Sequence, residues 1–213
     1  SPTLPEFIRA NGAMLTADMI FSSDGGQWGM DQPSLVLGLQ GLVGCEIQVM
    51  GAEKDLHSGM HGGRIANPIH ALSLIISSMK NRDGKITIDG FYDDVIDLTV
   101  QGRNEIAKVP FDEDDYCKSV GATEAFGEMG YTIPESLGAR LTLELNGIWG
   151  GYQGKSTKTV LPSEASAKIT CRLVADHKPE KIYGLLKSHI EANTPRGVTV
   201  KVKQLPGKAN PFS

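Results

Sequence analysis

The chain has 213 residues, 40% of them hydrophobic, which is enough to bury a core in one large or two small domains. The net charge is -4, and no Lys/Arg cluster is interleaved with aromatic residues, which excludes the usual basic surface for nucleic acid. No apolar run approaches the roughly 20 residues of a membrane-spanning helix, and the three scattered cysteines form no CxxC pair. We therefore expect a cytoplasmic protein that binds neither nucleic acid nor membranes.

The first predicted elements are a short helix and a short strand. Pro5 opens the helix, and Asn11 followed by Gly12 ends it. The apolar run Ala17–Phe21 predicts a buried strand. Asp24 follows this run, at the strand end where open α/β sheets bind ligands, although an Asp before Gly-Gly is also a common turn former. The local sequence alone favours the turn.

The stretch DLHSGMHGG, from Asp55 to Gly63, lies between a predicted strand (Leu42–Met50) and a predicted helix (Pro68–Lys80). His57 and His61 have the i, i+4 spacing of a helical metal pair, but three glycines lie among them. Each Gly costs roughly 1 kcal/mol relative to Ala inside a helix, so we predict a shaped loop. Such a loop allows close approach of a ligand or another chain. The simpler alternative is a turn with two exposed histidines.

The middle of the chain is less regular. Lys85–Ile88 predicts a short strand, and the region around 90–140 predicts an insertion of short helices. The acidic run at 112–115 is consecutive in one element, so its carboxylates cannot converge on one ion. We interpret this run as a solvated loop or the first turn of a helix. Leu141–Leu145 predicts a strand that leads into a glycine-rich loop.

The last third has the clearest periodicity. Ala165–Val174 alternates between apolar and polar residues, which predicts a strand with Arg172 on its polar face. Pro179 opens a helix that ends at Asn193, and Gly197–Val202 predicts a final strand.

Without the first 35 or so residues and the insertion, the element order is strand, helix, strand, strand, helix, strand. This order predicts an α+β sandwich of ferredoxin-like βαββαβ topology. Its four-stranded antiparallel sheet would carry two helices on one face. Because uncovered sheet edges are usually blunted or paired, we expect the sheet to continue across a homodimer.

DLHSGMHGG followed by NPIHAL, the upstream FSSDGG and the downstream TKTVLPSEASAKITCRLV resemble a known family. It is the two-zinc metallopeptidase family of carnosinase, aminoacylase, carboxypeptidase G and succinyl-diaminopimelate desuccinylase. GFYDDV (Gly90 to Val95) resembles the carnosinase-like dipeptidase branch. The resemblance implies a remnant of the zinc catalytic domain at 1–36. It also implies a dimerisation (lid) domain at 37–204, with an insertion at about 90–140, and a return towards the catalytic domain at 205–213.

The resemblance also assigns residue roles. His57 matches a lid histidine that reaches into the partner subunit's active site and stabilises the oxyanion of the reaction. Arg172 matches a residue that binds the free carboxylate of the substrate, and Thr159 a hydroxyl contact near that carboxylate. Asp24 matches a zinc ligand after a strand. Without the resemblance, Arg172 would be an exposed charge and Thr159 an ordinary strand residue, and His61 has no assigned role.

The full-length protein is therefore expected to be a homodimeric zinc hydrolase of dipeptides or N-acyl amino acids. It would hold two zinc ions, with Mn or Co as alternative metals. Asp24 is the one family metal ligand with a match here, and catalytic zinc needs about three protein ligands. We expect neither zinc nor activity in this chain alone. The alternative is a stand-alone ferredoxin-like module for dimerisation or amino-acid binding, without catalysis.

Overall fold

A computed structural model describes residues 3–19, 26, 28–34, 36 and 38–212. The chain divides into two compact units, Ser1–Val36 and Leu37–Ser213. In the first unit, helix α1 (Leu4–Ala10) begins with a proline in its first turn, as predicted. The predicted strand at 17–21 is wrong where it is described, because residues 17–19 are exposed and not in a strand. A short apolar run without alternation does not determine a strand.

The second unit contains twelve elements within the described residues. In chain order they are β1 (Gly41–Met50), β2 (Leu56–His57), α2 (Ser58–His61), α3 (Pro68–Ser77), α4 (Val100–Ile106), α5 (Glu113–Val120), α6 (Ile133–Ala139), β3 (Glu144–Gly150), β4 (Val160–Leu161), β5 (Glu164–Leu173), α7 (Pro179–Ala192) and β6 (Thr199–Gln204). Four strands form one antiparallel sheet in the order β3-β5-β1-β6, and β2 pairs with β4. With α3 and α7 as the crossover helices, this confirms the ferredoxin-like α+β prediction.

The sheet and the two helices form one hydrophobic core. Strand β5 alternates as predicted: Ile169, Cys171 and Leu173 are buried against the helices, while Lys168 and Arg172 are exposed on the other face. Helix α3 begins at Pro68, where the Asn67 side chain accepts a hydrogen bond from the Ile69 amide at 2.9 Å. Burying each large aliphatic side chain contributes about 1.5–3 kcal/mol, so this face holds the domain together.

Two strand predictions differ from the structure. Residues 85–88 form only an isolated bridge, Lys80 to Ile86, in place of a strand. The strand predicted at 141–145 begins at Glu144 and continues to Gly150. Leu141 and Leu143 are buried in the core before the strand starts, so their apolar character reflects packing and not sheet pairing.

The insertion packs three short helices, α4 to α6, beside the sheet domain. Asp112 caps α5: its Oδ1 accepts the amide of Asp115 at 2.8 Å, and the other acidic residues occupy the first turn. The acidic run is therefore a helix start, one of the two structures expected for it. Arg140 anchors the insertion through Glu128, with its Nε 3.0 Å from the carboxylate. Tyr92 donates to the same carboxylate at 3.0 Å.

No helix in the described part of the chain is long and apolar enough to span a bilayer.

His177 is buried at the turn between β5 and α7, with 2% of its surface exposed. Its Nδ1 accepts a hydrogen bond from the Val174 amide at 3.3 Å, and its Nε2 lies 3.2 Å from the Phe91 carbonyl oxygen. An amide can only donate and a carbonyl can only accept, so both contacts require the neutral ring with its proton on Nε2. Burial lowers the pKa of His177 below its ordinary value of 6.5.

Acid is therefore expected to destabilise the domain through His177. Below pH 6.5 the unfolded chain binds a proton that the folded chain does not, so the free energy of unfolding falls as the pH falls towards the folded-state pKa. We expect His177→Gln to flatten this dependence by up to about 1.4 kcal/mol per pH unit. Urea unfolding at several pH values between neutral and mildly acidic would measure how the free energy of unfolding changes with pH. Exposed His70→Gln is the control and should keep the original slope; equal slopes for all three proteins would contradict the prediction.

Candidate functional site

The histidine motif is held by a small two-stranded pairing and a single helical turn. His57 pairs with Val160, and the Ser58 amide donates to the Thr159 carbonyl oxygen at 3.0 Å. Ser58–His61 then forms α2, so the prediction of a loop without helix is wrong for these four residues. A single turn contains only one glycine before Gly62, and this cost is small enough for tertiary contacts to offset.

The two glycines after α2 end that helix. A Cβ on Gly62 would lie 2.4 Å from the Ser58 carbonyl oxygen, a distance that real side chains do not reach. Gly63 has a φ of +72°, in the left-handed region that favours glycine. Gly62 therefore lies too close to its own helical turn for a side chain, and the expected close approach of a ligand or another chain stays a prediction.

The ring of His57 is oriented from both of its nitrogens. Nδ1 accepts a hydrogen bond from the Gly59 amide at 3.1 Å, and Nε2 lies 3.3 Å from Thr159 Oγ1. Because the amide can only donate, Nδ1 is unprotonated and the proton of the neutral ring is on Nε2. His57 is exposed, and its Nε2–H donates to the Thr159 hydroxyl oxygen at the surface. The structure thus brings together two of the predicted site residues, His57 and Thr159.

Asp55 holds the His57 turn against the start of β5. Its Oδ1 accepts from both the amide and the hydroxyl of Ser163, at 2.9 and 3.1 Å. The sequence analysis did not assign Asp55 a role. Its partner lies 108 positions away along the chain, and no local pattern identifies such a contact.

Arg172 lies near the end of β5, whereas Asp55 holds the His57 turn at the start of this strand. Arg172 pairs in register with Leu42, whereas Glu164 at the start of β5 pairs with Met50. Eight residue steps of strand separate Glu164 from Arg172, which is roughly 27 Å at about 3.4 Å per residue. The Arg172 side chain is exposed, and it has no hydrogen bond or ion pair with another described residue. Within one chain the structure does not bring Arg172 to His57 and Thr159.

The described residues do not fit a metal centre. Among them, no group of three or more His, Cys, Asp and Glu side chains is close enough to hold an ion. Burial raises the pKa of the Cys45 thiol to about 12, which disfavours the thiolate that metals bind. Asp24, the predicted zinc ligand, lies outside the described residues. Its role in metal binding remains a prediction.

A family model described as the peptidase dimerisation domain matches residues 37–198. A Cys-Gly metallodipeptidase of Schizosaccharomyces pombe is 31% identical over 192 residues, which cover 89% of this chain and 40% of that protein. A beta-Ala-His dipeptidase of Rattus norvegicus is 26% identical over 175 residues, 82% of this chain and 36% of the relative. The chain thus spans less than half the length of these relatives.

A solved structure has the same fold. It is a metallo-carboxypeptidase of Sulfolobus solfataricus, 33% identical, with a TM-score of 0.81 over 98% of this chain and 53% of that one. The relatives support the likeness to the dipeptidase branch that the sequence motifs indicated.

Proposed function

The chain belongs to the peptidase dimerisation domain family, and from this premise we propose that it joins two subunits of a metallopeptidase acting on dipeptides or N-acyl amino acids. In this proposal each copy contributes His57 and Thr159 to the active site of its partner, and Arg172 to the active site of its own subunit. Catalysis then requires two copies of the chain.

The observation that carries the proposal is that Arg172 lies at one end of β5, whereas the His57 turn is held at the other end. An extended dipeptide spans about 7 Å, whereas the strand from Glu164 to Arg172 alone spans roughly 27 Å. Because Asp55 holds the His57 turn at the Ser163 end of β5, one chain is not expected to bring His57 and Arg172 to the same dipeptide. Two copies can place His57 of one beside Arg172 of the other, and a twofold axis creates two such sites.

The two edge strands of the sheet, β3 and β6, differ in a way that favours pairing of two copies of the chain through β3. Leu145 and Ile148 pair with Ile169 and Ala167, so they point to the helix side of the sheet, where hydrophobic residues are normally covered. They are nevertheless 44% and 60% exposed. The opposite edge, β6, carries exposed Lys201 and Lys203, and lysines on an edge strand oppose pairing with another chain.

The chemistry proposed for His57 follows from its tautomer. The Gly59 contact to Nδ1 keeps the proton of the neutral ring on Nε2, and in place of its contact with Thr159 this Nε2–H can donate to the oxygen that becomes negative when a hydroxide attacks the scissile carbonyl. The planar guanidinium of Arg172 can bind the substrate carboxylate through two parallel hydrogen bonds. Zinc ions in the whole protein would be bound by residues outside those described.

The dimer is expected to depend on the helix side of β3. Ile148→Glu would bury a charge at the proposed interface, which costs several kcal/mol and should raise the dimer dissociation constant about 100-fold or more. Sedimentation equilibrium would show the mass falling from twice 22.9 kDa to 22.9 kDa at concentrations where the unmodified chain is dimeric.

Val120→Glu is the matched control, because Val120 is similarly exposed, at 61%, but belongs to helix α5 and not to the sheet. This variant should remain dimeric. Zinc should be measured on the same samples: a metal-free dimer supports the proposal. A monomeric unmodified chain that holds stoichiometric zinc would contradict it, because the histidine turn would then itself be a metal site.

A further inference from the structure

A cavity of about 770 Å³ opens behind the His57 turn. Its lining comes mainly from the chain from Gly62 to Asn67, the first half of α3, strand β4, and the loop between α7 and β6. Its volume is within the range of small-molecule sites, about 300–1,000 Å³. None of the site residues considered above, His57, Thr159 and Arg172, lines it.

The charges that line the cavity all have the same sign. Arg64 and Arg196 both line it, together with His70 of α3. Among the described residues, no Asp or Glu lines the cavity. Arg64 uses one nitrogen to donate to the Met60 carbonyl oxygen at 2.7 Å, and Arg196 has no hydrogen bond or ion pair with a described residue. Two guanidinium groups therefore face the cavity without a carboxylate to neutralise them.

The rest of the lining is mostly apolar. Leu74 is 60% exposed although it points from α3 towards this space, and Ile65 is 40% exposed. Val160 and Leu161 of β4 complete this wall. A ligand that is complementary to both the arginines and the apolar residues of the lining must combine a negative charge with an apolar body.

We propose that this cavity binds an organic anion, a carboxylate on an apolar or aromatic body, with Arg196 and Arg64 holding the carboxylate. The proposal rests on the cavity lining and does not depend on the function proposed above. Ser58 and Gly62 also line the cavity, and they are the first residue of α2 and the residue that ends it. A bound anion therefore contacts the same helical turn that orients His57.

The test is a two-dimensional NMR titration of the 213-residue chain with hippurate, an aromatic carboxylate, and with hippuramide, its neutral amide. Hippurate should shift the amide signals of Gly62, Gly63 and Gly197 and should bind at least about tenfold more tightly than hippuramide. Arg196→Ala should weaken hippurate binding about tenfold or more. Because Arg196 is exposed and has no partner to lose, this change should leave the fold intact.

Two control variants distinguish this cavity from other basic groups. Arg82→Ala removes an exposed arginine that does not line the cavity, and Lys201→Ala removes an exposed lysine of β6 that also does not line it. Both should bind hippurate as the unmodified chain does, while Leu74→Asp, which adds a negative charge to the wall, should bind it more weakly. Equal affinity for hippurate and hippuramide, or binding lost with either control variant and kept with Arg196→Ala, would overturn the proposal. So would the absence of saturable binding at millimolar concentrations.

Discussion

His57→Ala in the whole metallopeptidase is expected to lower kcat by about 10²- to 10³-fold. This is the usual cost of removing one donor to a developing oxyanion in a site that excludes water. His57 has the geometry of such a donor, because the Gly59 amide occupies Nδ1 and leaves the proton on Nε2. Steady-state kinetics on a dipeptide would measure the change, with zinc content and dimer mass determined on the same variant.

His61→Ala is the control within the same motif. His61 lies in α2, four residues after His57. Its side chain has no hydrogen bond with another described residue, and it takes no part in the contact between His57 and Thr159. The His61→Ala variant should retain near-normal turnover. A His57→Ala variant with unchanged kcat, normal zinc content and a normal dimer mass would contradict the role proposed for His57.

Arg172→Ala is expected to raise KM about 10- to 100-fold for substrates with a free carboxylate, because a charged, two-point hydrogen bond contributes about 1.5–3 kcal/mol. The same change should have little effect on substrates whose carboxylate is replaced by an amide. A uniform loss on both substrate classes would count against carboxylate binding by Arg172. Because the Arg172 side chain is exposed, this substitution should change the stability of the fold by less than about 0.5 kcal/mol.

Mixing the two variants tests whether one active site needs two subunits. In a mixed dimer, the His57→Ala subunit retains Arg172 and receives an intact His57 from its partner, so one of the two sites is complete. Random exchange makes half of the dimers mixed, and about a quarter of the normal activity should return. If His57 and Arg172 acted in the same subunit, no mixed dimer would contain a complete site, and no activity would return.

Several elements could be predicted because their signal is local. The alternation of Ala167, Ile169 and Cys171 determines a strand with one buried face, and the Asn67-Pro68 start determines where α3 begins. The order of these elements was sufficient to predict the sheet topology, since only a few topologies satisfy the rules for connecting strands and helices.

Other predictions failed where a local pattern had more than one cause. Leu141 and Leu143 are apolar because they fill the core before β3 starts, which periodicity alone does not separate from strand pairing. The glycines in DLHSGMHGG predicted a loop without a helix, whereas Ser58–His61 forms a helical turn next to the pairing of β2 with β4.

The sequence by itself determined the ferredoxin-like element order, the exposed face of Arg172 and the motifs that resemble a two-zinc metallopeptidase family, because each depends on residues close together in the chain. Only the tertiary structure decided which of the candidate residues meet. Thr159 reaches His57 across 102 positions, and Asp55 reaches Ser163 across 108. Arg172, thirteen residues after Thr159, lies at the far end of β5 because an extended strand gains more than 3 Å with every residue.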